Sequence, residues 1–82
     1  MDRITQKGID YSVELLNKGG YLTEPPTDWA TLNLLTLLAA CEKFMEDSKK
    51  KGDARTQLEE ADAVLIFIFH SYIKEQLFMD LP

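Results

Sequence analysis

The stretch "ADAVLIFIFHSYIKEQLF", Ala61 to Phe78, decides how the chain folds. Its centre, Val64 to Phe69, is a run of large apolar residues, three of them β-branched. Alone, such a run suits a buried strand as well as a helix. The flanks separate the two. Leu58, Ala61, Leu65, Ile68, Phe69, Tyr72 and Met79 recur mostly at three- or four-residue spacing and share one sector of a helical wheel. Strand alternation fits only the short middle. The period therefore predicts a helix, with 64–69 the place where β propensity competes. Leu65 and Ile68 are its expected core residues.

That helix is too greasy for one neighbour. Ile66, Ile73 and Leu77 widen the apolar arc to about half the circumference. Phe67 and Phe78 lie beyond the arc, within about 20° of each other and about 16 Å apart along the axis. These five residues, with Trp29, form the expected partner-binding set. Whether Phe67 and Phe78 are core beneath another helix or an interface stays open at this level.

Upstream, "KKKGDAR" is a tight connection after a second helix. Gly52 stops that helix, and Asp53 can cap the third, or Thr56 with Glu59 as a capping box one turn later. A short turn between two long helices folds them back antiparallel. The second helix carries a stripe of Ala30, Leu34, Leu37, Leu38, Cys41, Phe44 and Met45, and a second patch of Leu32, Leu35 and Ala39. Thr27 or Asp28 caps it, after a "YLTEPP" linker whose prolines exclude helix.

The first helix, "DRITQKGIDYSVELLNKGG", is capped by Asp2 and ended by Gly19 and Gly20. Ile9, Val13 and Leu16 line one side; Ile4, Tyr11 and Leu15 line another. Thr5, Gly8 and Ser12 lie between them as a groove of small residues, which lets a neighbouring helix come close. The expectation is an all-α, single-domain chain (1–82): a three-helix bundle with helices about 3–18, 28–51 and 54–79, dominated by the antiparallel hairpin.

Composition bounds the function. An 82-residue chain sits near the size where one core supplies only a few kcal/mol. Cys41 is the only cysteine and His70 the only histidine, so neither a disulfide within the chain nor a Cys/His metal site is expected. Regular helices and a second subunit remain, so the bundle is expected to be a homodimer. The net charge of −5 argues against general nucleic-acid binding and suits solubility or a basic protein partner. Met1-Asp2-Arg3 opens without an apolar signal region, and no run spans a bilayer, so a cytoplasmic protein is expected.

No residue group carries a catalytic signature. His70 and Ser71 are adjacent, so on a helix their side chains diverge; His70 reads as a surface residue opposite the main stripe. Glu59, Glu60 and Asp62 suit the positive end of a helix and lack the Glu-x-x-His pattern of di-metal bundles. Cys41 sits mid-stripe as a small hydrophobe. Lys49, Lys50, Lys51 and Arg55 form the one basic cluster, a possible anion contact that also suits a helix C-terminus. No cofactor motif occurs.

In size and charge the chain resembles the small accessory proteins of bacteria and their phages, many of which bind another protein. The expected function is a non-enzymatic, acidic protein–protein interaction module: a homodimer, or an adaptor or inhibitor docking one helix face on a partner. The alternative is a small DNA-associated transcriptional regulator using the Lys49–Arg55 turn.

Overall fold

The structure, a computed structural model, describes residues 4–23, 30–51 and 57–80, with the side chains of all of these except 50, 51, 57–59 and 80. Three helices follow in order: α1 (Gln6–Lys18), α2 (Thr31–Lys51) and α3 (Gln57–Asp80). The all-α three-helix architecture is the one the periodicity predicts, and the β-branched run at 64–69 is helical throughout.

The starts of α1 and α2 fall later than expected. Thr5, not Asp2, caps α1: its backbone is extended and its hydroxyl accepts the Gly8 N–H at 3.1 Å. Ile4 before the cap and Ile9 four residues after it are both buried, the positions of a hydrophobic staple. α2 begins at Thr31, and the Ala30 carbonyl accepts its first helical bond, from Leu34 N–H at 3.0 Å. α3 is described from Gln57 onward. Asp2, Thr27, Asp28, Asp53 and Thr56 lie outside the described residues.

The end of α1 does more than stop a helix. Gly20 takes φ +83°, the left-handed region where a Cβ is strained. Tyr21 N–H then bonds Leu16 O at 2.8 Å, and Gly20 N–H bonds Asn17 O at 3.1 Å, a Schellman closure. The turn aims Tyr21 and Leu22 back at the bundle. Tyr21 packs edge-on against Phe44 of α2 with ring centroids 5.5 Å apart, and Leu22 is buried. The start of the expected linker is therefore part of the core.

α2 and α3 make the main contact, and α1 lies mostly against α3. Leu34, Leu37, Ala40 and Cys41 of α2 meet Ile66, Phe69 and Ile73 of α3 in the core, with Ile9 and Leu16 from α1. Ser12 is fully buried and its hydroxyl donates to Gly8 O at 2.7 Å, so a small polar residue sits inside at no cost in unpaired groups. The expected groove closes at Gly8, because the Ile4 side chain lies over it. The molecule measures 42 × 30 × 21 Å. Among the described residues α1 packs on one side of the α2–α3 hairpin, and no helix lies on the other.

Candidate docking face

The first question is which way α3 faces. Ile66, Phe69 and Ile73 have no exposed surface and recur at the spacing of one helix line, which is the side turned inward. Asp62, one turn before Ile66 on that line, accepts from the Tyr11 hydroxyl of α1 at 3.0 Å. His70, at the edge of the line, has Nε2 3.8 Å from Glu42 Oε1 of α2. The expected stripe is thus turned by about a quarter of the circumference. Leu65, Ile68, Tyr72 and Leu77 are half-buried at its edges, while Ala61 and Met79 are exposed. His70 is not a surface histidine: it is half-buried at the α2–α3 seam.

This phase divides the expected partner-binding set. Ile66 and Ile73 lie inside the chain's own core and have no surface to offer. They read as peripheral because helical spacing alone shows an arc, and the positions of two neighbours decide which part of the arc is inside. Leu77 is half-buried beside them. Trp29 lies outside the described residues. Phe67 and Phe78 remain, 60% and 80% exposed, on the side of α3 facing away from both other helices. Val64 shares that side, Met79 flanks it, and both are largely exposed.

The face has relief. A shallow open depression is lined by Glu60, Ala63, Val64 and Phe67, and a second by Lys74, Glu75, Phe78 and Met79. Between them sits Ser71, small and half-buried. A third depression lies on α2 and the turn, lined by Tyr21, Leu35, Thr36, Ala39, Ala40 and Lys43. There the second patch of α2, Leu32 with Leu35 and Ala39, is exposed.

The titratable groups away from this face serve the fold. Tyr21 donates to Asp47 Oδ2 at 2.7 Å, and this bond with partial burial pushes its phenol up to about 12. Tyr11 is raised by its bond to Asp62. Burial, with the nearby Glu42 charge, pushes the Cys41 thiol up to about 12, far from the thiolate that nucleophilic chemistry needs. Among the described residues no group of His, Cys, Asp and Glu has the makings of a metal site, and no helix is long and apolar enough to cross a membrane. Lys49 is exposed near the end of α2, whereas Arg55 and the side chains of Lys50 and Lys51 lie outside the described residues.

Tyr21 and Leu22 are the part of the core that periodicity missed. The signal was present in "LNKGGYL": an apolar residue placed one past a left-handed glycine commonly packs back on the helix it leaves. Compared with protein-family models, with curated proteins and with solved structures, the chain matches none.

Proposed function

We propose that the chain is a non-enzymatic protein–protein interaction module that docks through the outer face of α3. One observation carries this reading: Phe67 and Phe78 stay largely exposed while the chain already closes a core without them. Exposed aromatics on one helix line are the anchors from which helix-face interfaces are built. Isolated surface apolar residues need no explanation, but Val64 with Phe67 and Phe78 with Met79 form two exposed apolar pairs about three turns apart on the outer side of α3. The acidic balance keeps such a surface soluble.

The test is the double variant Phe67→Ser/Phe78→Ser, followed by circular dichroism and by binding. It is expected to melt close to the parent chain while self-association or capture of a partner weakens by roughly tenfold or more, as for loss of an interface anchor. Early melting with lost helicity would instead make both rings structural and remove the docking face.

A further inference from the structure

We infer that the occupant of this face is a second copy of the chain, packed antiparallel through α3 about a two-fold axis at Ser71. The inference rests on the docking reading above and specifies its partner. Val64 and Phe78 each stand seven residues from Ser71, one before and one after. Seven residues return to nearly the same side of a helix, so large, small and large residues lie in line. Two such lines run antiparallel about Ser71 place Phe78 of each copy opposite Val64 of the other. The small Ser71 pair at the axis lets the helices approach.

The relief of the face fits that register. The depression beside Val64 is lined by residues 60, 63, 64 and 67. This i, i+3, i+4, i+7 set is the hole that receives a knob in helix-pair packing. Phe78 is the most exposed large apolar residue described, and the register delivers it into that hole twice. Phe67 then meets the aliphatic stems at Lys74 and Glu75. The area reaches the threshold only with its rim. Taking aromatic rings at about 150–250 Å² each and the smaller side chains below that, the exposed parts of Val64, Phe67, Phe78 and Met79 come to at most roughly 500 Å² per copy. Full burial in two copies, about 1,000 Å², meets the lower bound for a specific interface, and Ser71, Lys74 and Glu75 add to it. Both copies carry −5, so an apolar contact between them strengthens when salt screens their repulsion. Docking on a basic partner has the opposite salt dependence.

Ser71→Cys tests the register, because Cys41 is buried and only position 71 is free to link. Under mild oxidation the variant is expected to form a covalent dimer through residue 71. Adding Phe78→Ser is expected to slow that linkage by roughly tenfold or more, with the helical signal unchanged. Sedimentation of the unmodified chain is expected to show a dimer that tightens with salt. A monomer at millimolar concentration overturns the inference, as does a dimer that survives Phe78→Ser or links through Leu35→Cys on α2 instead. A monomer whose capture of another protein still depends on Phe67 and Phe78 overturns the dimer and leaves the docking reading standing. Loss of neither property on removing the two rings defeats both.

Discussion

Cys41 shows what burial does to one side chain. It has no exposed surface, and removal from water disfavours the thiolate, holding the group near 12. The sign follows directly: a thiol raised above its ordinary 9.0 contributes stability that is whole below that pH and drains as pH rises from there toward 12. At neutral pH the native chain is therefore expected to resist a thiol reagent, and labelling should track opening of the bundle. The check is labelling rate against urea concentration. Rapid labelling of the folded chain would mean that the α2–α3 seam is open. The cysteine's place was legible from the α2 stripe, because Leu34, Leu37 and Cys41 keep one helical period without interruption.

At the scale of elements, helices were easier to foresee than their ends and their rotation. α2 and α3 are long and periodic, so both stood out. Asp2 and Thr5 are both good caps in sequence, and α1 starts where the Thr5 hydroxyl accepts the Gly8 N–H. The rotation of α3 was unreadable for a different reason. Apolar residues occupy about half of its circumference, so the pattern alone does not choose between Leu65 and Ile66 as the centre. Tyr21 locks the segment after α1 onto α2 through Asp47 and Phe44. Its phenol sits at about 12 against an ordinary 10.0, so the neutral form is favoured by folding. The stability it adds is whole below pH 10.0 and drains as pH rises toward 12. Tyr21→Phe is expected to lower stability by about 1 kcal/mol at neutral pH and to flatten the alkaline decline. Urea melts across that pH window, compared with the parent chain, measure both; an identical decline in the two proteins would place the cause elsewhere.

For the whole molecule, the account turns on one division of α3: Ile66, Phe69 and Ile73 inward, Phe67 and Phe78 outward. Among the described residues α1 packs on one side of the α2–α3 hairpin, and large apolar residues stay exposed on the outer side of α3 and at Leu32 and Leu35 of α2. Paired urea melts of Ile73→Ala and Phe78→Ala, at a concentration low enough to keep the chain monomeric, test this division most directly. Ile73→Ala is expected to cost about 2–5 kcal/mol, the range for truncating a buried isoleucine, and Phe78→Ala within about 0.5 kcal/mol, as for a surface site. A Phe78→Ala loss equal to or larger than that of Ile73→Ala would contradict the assignment of faces and, with it, the docking surface.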